Sequence, residues 1–391
     1  MLTCLFSVGQ EIVLRLCFPV PEVENFNRVN YSYLITKDPA SKVPLRNASY
    51  RFTSGPDGFD FTHTLNIYGF RDADWQVETN PDRPRVMFIG DSYVEGAGAA
   101  DGETIVDGFR SAARKSGLNL EAMNLGIQGI GPPEYLRLIA DAGRLFRPRH
   151  IVVTLMANDF ANLQPMNPDL LWGHMTQPFI NQQWEPRIKY LIGHLKTYGN
   201  VTTAWTTAPF PFFGAVPDPR NPWSEEKGRR SMESFVAPEI AAAMRAGKLN
   251  PYLARSHPAE HYWYPRSAPI GPYLAILKDY LADLNCQLIV VYFPAPEQVS
   301  DAYLSHRAKY NPPPMESLMG QVFQRPARDT ATHCSSLLIP FLDLTPHLRQ
   351  LEADGRRSYW LYDNHPRGST YLDAGRLIFD RFKSELTPKS E

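Results

Sequence analysis

The sequence predicts an α/β fold in which helices cover a parallel sheet, because short apolar runs alternate with helical patterns from Arg85 onward. The first apolar run, VMFIG at 86–90, is followed at once by Asp91 and Ser92. A long stretch at 161–270, rich in proline and aromatic residues, interrupts the alternation after the third predicted strand. We therefore expect one sheet whose carboxyl-terminal edge carries a polar site beside a large insert.

Strands are predicted from short apolar runs typical of buried strands, at 86–90, 120–125, 150–155, 287–293 and 337–342. Helices are predicted from apolar periodicity, near 103–116, 132–146, 271–285, 315–329 and 369–384. Pro132 and Pro133 follow Gly131, which favours the start of the second of these helices. The alternation implies helices on both faces of the sheet.

The pattern divides the chain into an extension, a split core and an insert. Residues 1–84 form an amino-terminal extension that is partly β, with alternating runs such as FDFTH at 59–63. Residues 85–160 and 271–391 supply the first and second parts of the α/β core. We interpret 161–270 as an insert or cap subdomain, since so long a connection beside a site is usually functional.

Composition excludes several classes of protein. With 391 residues, 43% of them apolar and 12% aromatic, the chain can bury a large core. Lys and Arg number 40 against 41 for Asp and Glu, so the net charge is −1 and we expect no nucleic-acid partner. The scattered Cys4, Cys17, Cys286 and Cys334 contain no CxxC pair, so they predict neither a zinc site nor a disulfide framework.

The amino terminus is apolar over residues 1–19 but carries Glu11 and Arg15. It is shorter than the ~20 apolar residues of a membrane span, and it lacks the basic flank and cleavage site of a signal peptide. Two interpretations stay open, a packed amphipathic helix ended by Pro19 and a remnant that follows a membrane anchor. We expect membrane association only through this segment, while compartment and oligomeric state stay open.

Ser92 is the first candidate functional residue. It follows a buried strand on a tight turn, and Gly96 and Gly98 give the backbone after it conformational freedom. A serine at the carboxyl end of a strand faces the mouth of the sheet, where its hydroxyl can attack a substrate carbonyl. The alternative is that Ser92 caps the following helix.

Three later stretches bring polar or glycine residues to the same edge of the predicted sheet. They are NLGIQGIG at 124–131, LMAND at 155–159 and YDNHP at 362–366. Together with GDSYVEG at 90–96, they resemble, in order, the four signatures of the SGNH, or GDSL, hydrolase superfamily. The resemblance implies a three-layer, flavodoxin-like parallel sheet and a serine ester hydrolase.

The resemblance covers 66–160 and 287–384 and leaves the insert outside it. At its start, NIYGFR resembles an N-x-x-G-F-R element that precedes the nucleophile strand in many bacterial members. Two departures from the usual pattern stand in the signatures. Met156 replaces a glycine, and Asp363 precedes His365 by two positions where three are common.

Matching the signatures residue by residue implies a complete catalytic site. Ser92 is the nucleophile and His365 is its base, while Asp363, or alternatively a backbone carbonyl, fixes the orientation of the imidazole. The implied oxyanion hole consists of the backbone N–H groups of Ser92 and Gly129 and the side-chain amide of Asn158.

The glycine loop at 124–131 admits other interpretations. Gly126 is the alternative to Gly129 as the oxyanion donor, and a loop without a catalytic role is a further one. A dinucleotide-binding loop is disfavoured, because the spacing is not GxGxxG and no acidic residue ends the following strand.

We predict that the chain hydrolyses an O-acyl ester, with acetyl the preferred acyl group, of a saccharide or a small or lipid-like molecule. The expected partner is that glycan or small-molecule ester, and no cofactor is expected. The insert contains tryptophans that are compatible with stacking on sugar rings or with a core of the insert itself, among them Trp172, Trp205, Trp223 and Trp263.

Two rival functions stay open. An O-acyltransferase would use the same acyl-enzyme and pass the acyl group to a hydroxyl acceptor. In relatives that acetylate alginate the D-x-H element precedes the serine, whereas here it follows, which favours hydrolysis. The second rival is an inactive binding module that keeps the fold.

HPAEH at 257–261 matches HxxEH, a zinc-peptidase signature in which both histidines bind the metal from one helical face. Pro258 and Pro265 leave barely two turns of helix between them. We therefore interpret the segment as a packed or sugar-contacting loop and expect no metal.

Overall fold

A computed structural model describes the ranges 10–13, 49–53, 58–128, 130–160, 237–245, 270–307, 309, 324–361 and 363–386. Most of the predicted insert, together with Gly129 and Tyr362, lies outside the described residues. The chain splits into two compact units. One comprises Met1–Tyr50, Thr64–Asp74 and Gln177–Pro222, and the other Arg51–His63, Trp75–Thr176 and Trp223–Glu391.

The strands of the described residues are β1 (Ser49–Thr53), β2 (Asp60–Thr64), β3 (Arg85–Gly90), β4 (Glu121–Gly126), β5 (His150–Met156), β6 (Gln287–Phe293) and β7 (Phe341–Asp343). The helices are α1 (Ser92–Glu95), α2 (Ile105–Lys115), α3 (Pro132–Phe146), α4 (Pro238–Arg245), α5 (Gly271–Asp283), α6 (Pro296–Val299), α7 (Ala302–Arg307), α8 (Arg325–Ser336), α9 (Thr345–Ala353) and α10 (Gly368–Leu386). A 3₁₀ turn at Ala157–Phe160 follows β5.

A five-stranded sheet in the order β4-β3-β5-β6-β7 forms the centre of the larger unit. Every adjacent pair is parallel, so the predicted flavodoxin-like order is confirmed. The chain runs from β3 to β4 on one side and then crosses to β5 on the other. The carboxyl ends of β3 and β5 therefore flank the point where strand order reverses, which is where ligands bind in such sheets.

The sheet is apolar on both faces because helices cover both. All residues of β3 and β5 are buried, as expected for a parallel sheet. Phe88 of β3 packs edge-on against Phe109 of α2, with ring centroids 5.0 Å apart. Phe109 in turn packs against Phe379 of α10 at 5.6 Å. This core anchors the last helix directly behind the strand that precedes Ser92.

The described residues at the end of the sheet differ from the predictions of a helix over 315–329 and a strand over 337–342, and residues 315–323 lie outside the described part of the chain. A helix occupies Arg325–Ser336, and the last strand is only Phe341–Asp343. The apolar Leu337–Ile339 run causes the difference, because Leu338 ends the helix with a φ of 53° and is 86% exposed. Apolarity alone does not separate such a helix exit from a buried strand.

The NIYGFR stretch, which belongs to the smaller unit, forms a tight loop around Asn66. The Asn66 side-chain oxygen accepts hydrogen bonds from the backbone N–H groups of Tyr68 and Phe70, both at 3.0 Å. Its amide nitrogen donates to the Ala73 carbonyl at 3.1 Å. Asn66 is 3% exposed, so its side chain supplies the loop with the partners that water would otherwise supply.

Among the described residues, the search for a helix with the length and hydropathy of a membrane span finds none.

Asp141 gives the fold a testable dependence on pH. It lies on α3, 7% exposed, with its Oδ2 3.9 Å from Arg137 Nε. Burial raises the pKa of Asp141 to about 7, against the lowering effect of Arg137 and Arg144. The unfolded chain releases this proton near pH 3.8. Stability therefore falls as pH rises from about 4 to about 7, because the unfolded chain ionises at Asp141 over this range while the folded chain keeps the proton.

We predict that Asp141→Asn changes the free energy of unfolding little at pH 4 and raises it by roughly 2 kcal/mol at pH 8. Denaturant unfolding at both pH values measures this, with the exposed Asp279→Asn as the control. An equal effect at pH 4 and pH 8 would contradict the assignment.

Candidate active site

Ser92 is the first residue of α1, directly after β3 and Asp91. Asp91 caps the helix, since its Oδ1 accepts a hydrogen bond from Tyr93 N–H at 3.0 Å. Gly96 ends the helix in a left-handed conformation, with its N–H donating to Ser92 O at 2.9 Å. The alternative that Ser92 is a helix cap is thus wrong. Its hydroxyl makes no hydrogen bond to any described residue, and the side chain is half-buried.

His365 lies in a short loop before α10, paired with Asp363. Asp363 Oδ1 accepts a hydrogen bond from His365 Nδ1–H and a second, at 2.8 Å, from the His365 backbone N–H. Both residues are buried, Asp363 completely. The two-residue spacing works because the chain turns back on the aspartate, so that one oxygen receives both donors. The structure thus places Asp363, and not a backbone carbonyl, at Nδ1.

Hydrogen bonds hold the His365 loop against the turn that carries Ser92. Tyr93 O–H donates to the Asn364 carbonyl at 2.5 Å. Trp360 Nε1–H donates to the Gly98 carbonyl at 2.8 Å, and the Tyr93 and His365 rings lie 5.8 Å apart. The structure therefore holds the loop that carries His365 against the residue that follows Ser92.

Gly98 makes this close approach possible. Its φ is 84°, and a Cβ built there would lie 3.0 Å from His365 Cβ, 3.1 Å from Trp360 Nε1 and 3.2 Å from the Phe59 ring. A side chain at position 98 would therefore strain the backbone and displace the His365 loop at the same time.

Asn158 lies in the 3₁₀ turn after β5 and reaches the nucleophile turn. Its Nδ2 donates to Asp91 Oδ2 at 3.1 Å, which uses one of the two amide hydrogens and fixes the side chain. Asp159 braces this turn by accepting hydrogen bonds from Met156 N–H at 2.8 Å and from Tyr135 O–H at 2.9 Å.

The structure describes only one of the two glycine candidates for the oxyanion hole. Gly126 N–H donates to Asn124 Oδ1 at 3.0 Å, so this donor is already used within the loop. Gly129 lies outside the described residues. The loop itself lies beside the nucleophile turn, because Ile127 N–H donates to the Gly90 carbonyl at 3.1 Å.

Buried charges control protonation at the site. Burial lowers the pKa of His365 and is the largest single effect, but the charge and hydrogen bond of Asp363 and the charges of Asp91 and Glu95 together raise it by more. Its pKa therefore lies above the ordinary value. Burial raises the pKa of Asp91 to about 6, opposed by the hydrogen bonds from Tyr93 and Asn158. An imidazolium at His365 is thus well stabilised.

Sequence reasoning overlooked several residues that position this site. Trp360 and Tyr93 join the two halves of the site, namely the loop that carries His365 and the turn that carries Ser92, and Asp91 fixes Asn158. Glu95 and His63, buried beside Ser92, are hydrogen-bonded to each other. The signal for Glu95 was its place inside GDSYVEG, whereas nothing in the local pattern pairs it with a histidine of the extension.

Within the described ranges, no group of three or more His, Cys, Asp or Glu side chains has the geometry of a metal site. The HPAEH motif lies outside those ranges.

A comparison with protein families covers the region that carries Ser92 and Asn158 and leaves Asp363 and His365 outside it. Residues 86–256 match the family model for the GDSL-like Lipase/Acylhydrolase family. No curated protein matches the chain.

Several solved structures are similar at low identity. TesA is 10% identical, with a TM-score of 0.39, over 78% of this chain and 99% of its own. The lipase/acylhydrolase from Enterococcus faecalis is 10% identical, with a TM-score of 0.39, over 79% of this chain and all of its own. A two-domain esterase active on acetylated mannans is 9% identical, with a TM-score of 0.37, over 79% of this chain and 51% of its own.

We predict that Gly98→Ala lowers both stability and the proposed activity, because the new methyl group meets His365 and Trp360. The expected loss of unfolding free energy is about 1–3 kcal/mol. Thermal unfolding and ester hydrolysis measure the two effects. Gly102→Ala is the control, since Gly102 has a similar φ of 85° with nothing within 4 Å of its built Cβ. Equal losses in both variants would show that contact with His365 is unimportant.

The pairing of His365 with Asp363 predicts the acid limb of activity. The base is inactive when protonated, so the midpoint of kcat/KM against pH should lie above 6.5. Asp363→Asn should move that midpoint down and lower kcat by about 10²–10⁴-fold, because the imidazole loses its acceptor. The exposed Asp354→Asn is the control. An unchanged midpoint in Asp363→Asn would contradict the pairing.

Proposed function

The chain belongs to the SGNH/GDSL hydrolase superfamily through its GDSL-like lipase/acylhydrolase domain, and from this premise we propose that it is a serine esterase that works through an acyl-enzyme on Ser92. Membership of this family indicates that the chain is an ester hydrolase. We further propose which residues carry out the reaction and which class of ester is the substrate.

In the proposed mechanism, Ser92 Oγ attacks the ester carbonyl while His365 Nε2 takes the hydroxyl proton. Asp363 holds the other ring nitrogen and stabilises the imidazolium that forms. The tetrahedral intermediate collapses when His365 returns the proton to the leaving alcohol, which leaves the acyl group on Ser92. Water then attacks the acyl-enzyme with His365 again as base, and the carboxylic acid leaves as Ser92 regains its proton.

The developing oxyanion needs preorganised donors. Ser92 N–H is the first amide of α1 and has no acceptor within the helix. The second hydrogen of the Asn158 amide is the side-chain donor that we propose, since the first is bound to Asp91. Gly129 N–H is the third proposed donor, carried by the resemblance of the 124–131 loop. Removal of one such donor typically costs about 10²–10³ in turnover.

One observation carries the proposal more than any other. The buried Asp363–His365 pair is hydrogen-bonded, through its neighbour Asn364, to Tyr93, the residue next to Ser92. A base with its orienting carboxylate beside a strand-end serine is the arrangement that acyl transfer requires.

We propose an O-acyl saccharide ester, with acetyl the preferred acyl group, as the substrate. Support comes from the tryptophan-rich 161–270 segment that follows the strand beside Ser92, since indole rings stack on sugar faces. Hydrolysis is preferred over acyl transfer because the D-x-H element follows the serine. A panel of acetylated sugars and nitrophenyl esters ranks substrates. Acetate release measured against acyl transfer to added glycans separates hydrolase from transferase.

We predict that Ser92→Ala lowers turnover by at least about 10³-fold and that His365→Ala comes close to it, because the two residues act as a unit. Fluorophosphonate labelling, located by peptide mass spectrometry, should modify Ser92 in the wild type and fail in Ser92→Ala. The matched control is Ser116→Ala, at a partly buried serine that ends α2. Full turnover in Ser92→Ala, or labelling at another serine, would overturn the proposal.

A further inference from the structure

Two buried residues outside the proposed mechanism, His63 and Glu95, form a second histidine–carboxylate pair next to Ser92. His63 Nδ1 lies 2.8 Å from Glu95 Oε1, and the residues are 0% and 4% exposed. Because a carboxylate only accepts, Nδ1 carries the hydrogen and donates it. Burying such a pair costs free energy that apolar residues would not cost, so its presence beside a nucleophile points to a role there.

Close packing fixes the main chain of Glu95. Glu95 is the last residue of α1, three positions after Ser92. Gly126 packs so closely against it that a Cβ built there would lie 2.0 Å from Glu95 N. The end of β4 and the nucleophile helix therefore touch through backbone atoms at Glu95.

The second oxygen of Glu95 connects to the glycine loop. Gln128 Nε2 donates to Glu95 Oε2 at 3.3 Å. Gln128 is the neighbour of Gly129, the proposed oxyanion donor. One carboxylate thus links the nucleophile helix, the loop after β4 and, through His63, a strand of the amino-terminal extension.

Glu95 also contributes charge at the base. The groups that face His365 are Asp363 on its own loop, and Asp91, Tyr93 and Glu95 on the nucleophile turn. Burial lowers the pKa of His365, whereas the carboxylates of Asp363, Asp91 and Glu95 raise it. Glu95 therefore favours the imidazolium that forms when the base takes the serine proton.

The strand that carries His63 makes a second contact with the site. Phe59 directly precedes β2 and His63 lies on it, four positions later. Because alternate residues of a strand share a face, the two side chains point to the same side. Phe59 packs against Trp360 with ring centroids 5.4 Å apart. The 59–63 segment therefore touches both halves of the site, although it precedes the 86–256 region that matches the family model.

We propose that Glu95 and His63 are positioning residues of the esterase site. Glu95 holds the oxyanion loop through Gln128 and stabilises the His365 imidazolium, while His63 from the extension holds Glu95. This inference rests on the proposed function.

The test is the pH dependence of fluorophosphonate labelling of Ser92 in the full chain, which needs no knowledge of the natural substrate. Glu95→Gln keeps the shape and removes the charge. We expect its acid midpoint to fall by about half a pH unit or more and its plateau rate to fall by about tenfold. His63→Gln keeps a donor and leaves the carboxylate, so its midpoint should stay near the wild-type value.

The control is Asp141→Asn, which removes a buried carboxylate on α3 away from the site and should leave labelling unchanged. A wild-type midpoint and plateau in Glu95→Gln would overturn the inference while leaving the proposed function intact. So would a His63→Gln shift as large as that of Glu95→Gln, since packing alone would then explain both. Failure of the proposed function is distinguishable, because wild-type Ser92 would then not be labelled at all.

Discussion

The site depends on the hydrogen bonds that join the loop before α10 to the turn after β3. Tyr93 O–H to Asn364 O and Trp360 Nε1–H to Gly98 O connect residues 271 and 262 positions apart. Tyr371 of α10 adds a third connection, to the Ala97 carbonyl at 2.9 Å. Each hydrogen bond closes a very long loop of the chain. The packed sheet already brings the two ends of that loop together, so the hydrogen bond adds little further loss of chain entropy. Without these contacts, Ser92 and His365 would belong to the same fold, but nothing would hold the His365 loop against the turn that carries Ser92.

The same edge of the sheet concentrates buried carboxylates, namely Asp91, Glu95, Asp159 and Asp363. Burial raises the pKa of Asp91 and of Asp159, and the charge of Asp91 raises that of Asp159 further. Donors from backbone amides, Tyr135 and Asn158 offset part of this cost. The arrangement is poor for stability, and it suits the proposed reaction, in which His365 becomes cationic.

Much of the architecture could be predicted from local pattern. The strands at 86–90, 120–125, 150–155 and 287–293 lie within a residue of those observed, because buried parallel strands give continuous apolar runs. The Leu337–Ile339 run misled the prediction, since an exposed Leu338 in the left-handed region leaves no trace in composition.

The candidate site also contains residues that local sequence pattern predicts and residues that it does not. Ser92, His365 and Asn158 could be named because each sits in a short signature. The pairing of His63 with Glu95 could not be predicted, because it joins a strand of the extension to the nucleophile helix. Only the three-dimensional fold brings that pair together. The catalytic roles of Ser92, Asp363 and His365 and the oxyanion roles of Gly129 and Asn158 stay predictions.

The most direct measurement of the central claim is to trap the acyl-enzyme. The protein is mixed with an acetyl ester, quenched in acid within a turnover and digested for peptide mass spectrometry. The account predicts one acyl group on the peptide that contains Ser92, formed by the wild type and not by His365→Ala. An acyl group on a different residue, or steady turnover with none on Ser92 at any quench time, would contradict it.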